Sequence, residues 1–147
     1  MYVETILAQK DDQLWTITPD ATVYEALLIM DRRNIGALLV MQDEQLIGIL
    51  SERDYARKII IKGKSSKETL VKEVMTKAVC YVDKKKKVDD CLAIMSDKRI
   101  RHLPVMENNQ LIGLVSIGDV VKSIISEQEV VIDDLYNYIN GVYYTPH

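Results

Sequence analysis

The chain has 147 residues, 48% of them hydrophobic, with 19 Lys and Arg against 22 Asp and Glu for a net charge of −3. That is enough apolar material for one ordinary domain or two small halves sharing a core, and the acidic balance speaks against a nucleic-acid binder, which carries a basic face. No apolar run approaches the roughly 20 residues of a membrane span. Met1–Thr5 lacks the basic-then-apolar layout of a signal peptide, and two isolated cysteines and two histidines offer neither a disulfide framework nor a metal cluster. The expectation is a cytoplasmic protein without a metal site, whose Cys80 and Cys91 are reduced and buried.

In chain order, residues 1–13 read as a short helix or arm ending in a polar run, followed by a strand over Leu14–Thr18 that Pro19-Asp20 stops. Thr22 with Glu25 has the signature of a capping box, the hydroxyl accepting from a free N–H and the carboxylate reaching back. The helix it opens sets Val23, Ala26, Leu27 and Met30 on one face, and Arg32-Arg33-Asn34 closes it with charges suited to a helix C-terminus. Strands over Ala37–Gln42 and Gln45–Leu50 follow, joined at Asp43-Glu44. A second helix after Ser51 carries Tyr55, Ala56, Ile59 and Ile60.

Ile61–Glu68 is a polar linker, and a short helix near Thr69–Met75 leads onward. Then come strand Val79–Val82, helix Val88–Lys98, strands His102–Glu107 and Gln110–Ser116, and a helix from Ile117. Asn108-Asn109 marks the hairpin turn, since Asn tolerates the left-handed region. Beyond Glu127, Val131, Leu135, Tyr138 and Ile139 keep helical spacing up to Gly141, in a tail without a counterpart in the first half.

The second half repeats the first. Between Val23/Val88 and Asp54/Asp119 the two align at one constant offset without a gap, with Leu27/Leu92, Met30/Met95, Leu38/Leu103 and Val40/Val105 among the identities. A gapless match of that length is an internal duplication. Each half is β-α-β-β-α, giving an α+β fold with pseudo-twofold symmetry. The ranges are 1–63 for the first repeat, 64–126 for the second and 127–147 for a helical tail. One repeat alone cannot hide both faces of its sheet; two packed together can, and they leave two equivalent clefts.

Gly-x-x-Ser-x-x-Asp recurs at Gly48/Ser51/Asp54 and Gly113/Ser116/Asp119. The Gly lets another group come close or relieves crowding. The Ser stands where a strand hands over to a helix, so its hydroxyl and the first N–H groups can hold phosphate. The Asp, one turn in, can accept both hydroxyls of a ribose. Ser-x-x-Asp is equally a capping box, and both roles can hold together.

Three runs complete a pattern: Thr22–Met30, Ile100–Val105 and Leu111–Asp119. They resemble the cystathionine-β-synthase (CBS) domain, and two copies over about residues 3–126 resemble a CBS pair, or Bateman module. The resemblance implies a regulatory module for adenosine-containing ligands such as AMP, ADP, ATP, NAD(H) or S-adenosylmethionine. It implies that Ser116 and Asp119 serve one cleft, lined by Ile35, Gly36 and Ala37, and that Ser51 and Asp54 serve the other. Thr18, Leu114 and Gly118 complete the candidate set. Arg53 stands where the second repeat has Gly118, and Arg101-His102 where the first has Gly36-Ala37, so a cationic pair is expected beside the Asp119 cleft. Two departures are Leu39 in place of Pro104, and the run Lys84–Lys87, read as a solvated loop, in place of Pro19–Thr22 and its Thr cap.

The reading is therefore a stand-alone sensing module rather than an enzyme, since no catalytic triad or Walker loop is apparent; the alternative is a structural dimerisation module with empty clefts. A symmetric homodimer is expected, through helix faces around Met30, Ile59, Ile60, Met95 and Ile124 and the C-terminal helix, with an effector protein as a further partner. Tyr136, Tyr138, Tyr143 and Tyr144 are expected in core or interface packing.

Overall fold

The computed structural model describes residues 1–10, 14–142 and 145. Asp11–Gln13 of the expected arm, and Tyr143, Tyr144 and His147, lie outside the described residues. The chain runs α1 (Val3–Gln9), β1 (Thr16–Ile17), α2 (Val23–Arg33), β2 (Ala37–Gln42), β3 (Gln45–Ser51), α3 (Glu52–Asp54) and a π-helical segment (Tyr55–Ile60). It continues with α4 (Val71–Val74), β4 (Val82–Asp83), α5 (Val88–Lys98), β5 (His102–Glu107), β6 (Gln110–Ser116) and α6 (Ile117–Asn140). The expected strand at Leu14–Thr18 shortens to Thr16–Ile17, and the one expected at Val79–Val82 is displaced to Val82–Asp83, because only those residues pair, in parallel, with the hairpin behind them.

The α+β duplication is visible in hydrogen bonds. Two three-stranded sheets, β1-β2-β3 and β4-β5-β6, carry the same pairings and the same irregularity, between Val40 and Met41 in one and Val105 and Met106 in the other. Both hairpin turns use two residues at positive φ, Asp43-Glu44 (51° and 64°) and Asn108-Asn109 (51° and 62°). That geometry matches the right-handed twist of the strands it joins. Helix α2 buries Val23, Ala26 and Met30 over the first sheet, and α5 buries Val88, Cys91 and Met95 over the second.

The capping box at Thr22 is formed, with the Thr22 hydroxyl accepting from Glu25 N–H at 3.1 Å. At α5 the cap position is Lys87, whose side chain makes no such bond. Thr22→Ala should therefore cost about 0.5–2 kcal/mol of stability, while Lys87→Ala costs almost nothing. Urea denaturation of the two variants checks the difference.

The cores cross over between the repeats. Val3 and Ile6 of α1 are buried with Val82, Val88 and Leu103, in the core of the second repeat. Val71 and Val74 of α4 are buried with Val23, Leu38 and Ile59, in the core of the first. The lysine run is the solvated loop expected, with Lys85, Lys86 and Lys87 exposed, and its backbone also clamps α1: Val3 and Glu4 N–H donate to the carbonyls of Lys86 and Lys84, and Lys85 pairs with Glu4 at 2.8 Å.

Three further expectations change. The π-helical segment has a wider turn, seen in Ile61 N–H donating to the Ala56 carbonyl, so Ile59 is buried while Ala56 and Ile60 are exposed. Cys91 is buried as expected, but Cys80 is only half-buried. Tyr136 and Tyr138 are exposed and belong to no core.

Candidate functional site

Each hairpin glycine makes room for a side chain from a connecting segment. A Cβ on Gly48 would stand 2.5 Å from Met75 Sδ, and one on Gly113 would stand 2.5 Å from Leu7 Cδ2. So the glycines admit Met75 and Leu7, and those two residues hold α4 and α1 against the backs of the hairpins.

Both Ser-Asp pairs form capping boxes. Ser51 N–H donates to Asp54 Oδ2 at 3.0 Å, and Asp54 N–H to Ser51 Oγ at 3.2 Å. At the second copy the same bonds measure 2.9 and 3.1 Å. Capping uses one carboxylate oxygen of each Asp, and the two copies differ in what else reaches the carboxylate. On Asp54, Oδ1 receives the Thr76 hydroxyl at 3.4 Å and Lys58 Nζ at 3.1 Å. On Asp119, Oδ2 receives Lys10 Nζ at 2.7 Å, and the same ammonium donates to the Leu114 carbonyl at 2.8 Å. Burial pushes the Asp119 carboxyl up, but the bonds from Lys10 and Ser116 outweigh it and hold the group below its ordinary value.

The clefts are therefore unequal. The one at Asp54 is an open cavity of about 1010 Å³, built by both repeats. Gly36, Ser51, Arg53, Asp54 and Arg57 line it from the first repeat, and Lys98, Arg99, Ile100, Arg101 and His102 from the second. Five cationic side chains thus face two carboxylates, Glu52 and Asp54, on a chain whose net charge is negative. Arg53 is braced across the junction, with Nη1 donating to the Arg99 carbonyl at 3.1 Å. The Asp119 motif is covered instead, by Leu7 and Lys10.

The structure redistributes the expected residues. Ser51, Arg53 and Asp54 come together with Arg101 and His102, which sequence reasoning set beside Asp119. The physical cause lies in the backbone: the Arg101 carbonyl accepts from Ile117 N–H at 2.8 Å and braces the Asp119 motif, while the residue itself lines the other cleft. The Gly36 carbonyl takes Glu52 N–H at 3.0 Å and so braces the Asp54 motif, whose cleft Gly36 also lines. Ile35 packs on the first core, and Ala37 is buried at the start of β2. Thr18 is exposed and outside the lining. Leu114 and Gly118 stay with the Asp119 motif.

Arg57, Thr76, Lys98 and Arg99 were not among the sequence candidates. Arg57 follows Arg53 by one helical turn and was open to detection by that spacing. Lys98 and Arg99 end α5, where cations also suit the helix dipole, and that ordinary role concealed them.

His102 sits where the repeats meet, its ring 3.6 Å from the point a Cβ on Gly36 would occupy. Burial and then the positive charge of Lys10 lower its pKa from 6.5, against a smaller opposing pull from Asp119. Below pH 6.5 the unfolded chain takes up a proton that the folded chain resists, so this residue's contribution to stability is full above that value and declines as pH falls. His102→Gln should flatten the stability loss between about pH 7.5 and about pH 5.5. Equilibrium unfolding at the two pH values measures it.

Comparison with known proteins adds four findings. The CBS domain family model matches residues 8–61 and 71–126. CBS domain-containing protein CBSX3, mitochondrial, of Arabidopsis thaliana is 44% identical over 135 residues, which are 88% of this chain and 65% of that protein, so the chain spans somewhat under two thirds of that relative. A solved CBS-domain protein of Burkholderia ambifaria is 45% identical with a TM-score of 0.84, covering 87% of this chain and 96% of that one. The CBS domain pair of protein MJ0100, solved with 5′-methylthioadenosine and S-adenosyl-L-methionine, shares the fold at a TM-score of 0.76 and 23% identity, over 86% of this chain and 98% of that one. Among the described residues no helix is long and apolar enough to cross a membrane, and no group of acidic, His and Cys side chains is placed to hold a metal.

Proposed function

This chain belongs to the CBS-domain family, and on that premise we propose that it is a regulatory module binding a phosphate-bearing adenosine ligand, AMP, ADP, ATP or NAD(H), in the Asp54 cleft. The observation that carries the reading is the cleft's charge: five cations around two carboxylates on an acidic chain favour an anionic ligand. Asp54 Oδ1 offers the acceptor a ribose diol needs, once Thr76 and Lys58 give way. The adenosine portion is supported by the MJ0100 pair, which holds two adenosine compounds in the same fold. A binding role rather than catalysis suits a site whose Ser and Asp are spent on capping a helix. One ligand per chain follows, because Lys10 already holds Asp119. The occupied cleft would then signal to an effector protein, and a homodimer belongs to the same reading.

A thermal-shift panel of AMP, ADP, ATP, NAD, NADH and S-adenosylmethionine, with adenosine as the reference, tests it. A ligand at a hundred times its Kd stabilises by about 2.7 kcal/mol, or several degrees in a chain of this size. The expected result is a shift with a phosphate-bearing ligand and little with adenosine. Equal shifts with adenosine and AMP would overturn the phosphate assignment, and no shift at all would favour the structural dimerisation module.

A further inference from the structure

His102 stands between the two clefts. It opens β5, paired across the sheet with Ser116, the cap of α6. Its ring meets the other repeat, with Cε1 and Nε2 lying 3.6 and 3.7 Å from the point a Cβ on Gly36 would occupy, and both residues line the Asp54 cleft. Histidine is the side chain whose ordinary pKa sets its charge change between about pH 5 and about pH 8. Burial does most to disfavour the charged ring, followed by Lys10 beyond α1; Asp119 in the first turn of α6 pulls the other way, and the neighbouring Arg101 adds to the suppression. Across the cleft stand Arg53 with Glu52 and Asp54 on α3, Arg57 in the π-helical segment, and Lys98 and Arg99 at the end of α5, with the Cys80 thiol in the same lining. Cations outnumber carboxylates there too, and the ring is mostly neutral at about pH 7.

We propose that the Asp54 cleft takes up its ligand together with a proton on His102, so that affinity for a phosphate-bearing ligand rises as pH falls. This rests on the phosphate reading of the cleft and adds its regulation. A phosphate brings the negative charge that the walls lack, and an anion near an imidazole favours the protonated ring. The imidazolium N–H can then donate a charge-assisted bond to it. Linkage is reciprocal: the factor by which the ligand favours the proton is the factor by which the proton favours the ligand. Above the range where the ligand-bound ring titrates, no proton enters and affinity stays at its lower level. As pH falls through that range, each unit tightens binding by up to about tenfold, until the ligand-free ring is protonated as well and the gain levels off. Acidification thus fills the cleft at a fixed nucleotide concentration, and one site joins two signals.

Two measurements on the full chain test the proposal, with AMP, ATP and NAD as probes. Calorimetry at about pH 6 and about pH 7.5, in buffers of different ionisation heat, gives affinity and the protons taken up. The wild type should bind at least about threefold more tightly at the lower pH, with proton uptake. The terminal phosphates of AMP and ATP titrate in that range themselves, whereas those of NAD do not. His102→Gln removes the ring and leaves the ligand's own groups, so it sets the baseline: it should lose the gain with NAD and take up only the ligand's share with the others. Proton NMR reads the ring without that variant, since the sequence has two histidines and His147→Gln identifies the second. At saturating ligand the His102 resonance should titrate at a pH higher by at least about one unit. A resonance that titrates at the same pH with and without ligand, or equal pH dependence in His102→Gln, would overturn the proton linkage and leave the phosphate site standing. Failure of all three probes to bind at either pH would overturn both.

Discussion

Asp54→Asn is expected to weaken nucleotide binding at least about tenfold, or 1.4 kcal/mol, while apo melting barely moves. The two halves of that result separate the two roles of one side chain. As a cap, Asp54 accepts from Ser51 N–H through Oδ2, and Asn at the third helical position keeps a carbonyl oxygen for that bond. Little cap stability is then lost. As a ribose acceptor the carboxylate would take two charge-assisted hydrogen bonds, each worth roughly 1.5–3 kcal/mol. Asn turns one acceptor into a donor and removes the charge. Calorimetry on the folded variant decides between the roles: wild-type affinity there would reduce Asp54 to a cap. Asp119→Asn, where Lys10 already occupies the carboxylate, should change affinity less than twofold. The motif alone weights Asp54 and Asp119 equally, because it is present twice and only the surroundings differ.

The duplicated elements were legible because both codes they rest on are local. The hairpins follow from apolar strands around Asp43-Glu44 and Asn108-Asn109, and both turns adopt positive φ, which Asp43, Asn108 and Asn109 tolerate. Helices α2 and α5 follow from the spacing of Val23, Ala26 and Met30 and of Val88, Cys91 and Met95. What lay outside local reach was the exchange of connecting helices. Val3 and Ile6 look like a small apolar face belonging to whatever follows, yet they complete the other repeat's core. Nothing in seven residues encodes that choice; the clamp by the Lys84 and Lys86 carbonyls makes it. The segment after Asp54 was misread for a different reason. A helical period applied to Tyr55, Ala56, Ile59 and Ile60 assumes the α turn, and the wider π turn rotates Ala56 and Ile60 into solvent.

The site was half legible for a related reason. Gly, Ser and Asp recur at fixed spacing in both repeats, and Arg101-His102 is a difference between the repeats that their constant offset exposes. Its place relative to the clefts is not local information: the Arg101 carbonyl braces the Asp119 motif, while Arg101 and His102 line the Asp54 cleft. Lys10 was invisible because its partner stands across the whole chain, at Leu114 and Asp119.

Lys10→Ala is expected to raise the number of nucleotides bound per chain from one to two. The ammonium stands 2.7 Å from Asp119 Oδ2 and 2.8 Å from the Leu114 carbonyl. Any ribose reaching Asp119 must first displace a charged, hydrogen-bonded group. The pair is partly exposed, with side-chain accessibilities of 36% and 24%, so its contribution to folding is screened and of the order of 1 kcal/mol or less. Removing it should therefore leave the fold intact. It should also bring the Asp119 carboxyl back toward its ordinary value, since the bond from Lys10 is the largest influence holding it down. The wild type keeps that contribution above the ordinary carboxylate value and loses it as pH falls through the lowered one, so the variant should show a weaker acid dependence of stability. Lys10→Arg, which keeps the charge, should stay at one nucleotide per chain. Calorimetric stoichiometry is the measurement. One nucleotide per chain in Lys10→Ala would mean that Leu7 and α1 close this cleft without help from the ammonium; two in Lys10→Arg as well would mean that loss of the Lys10 geometry, not of its charge, opens it.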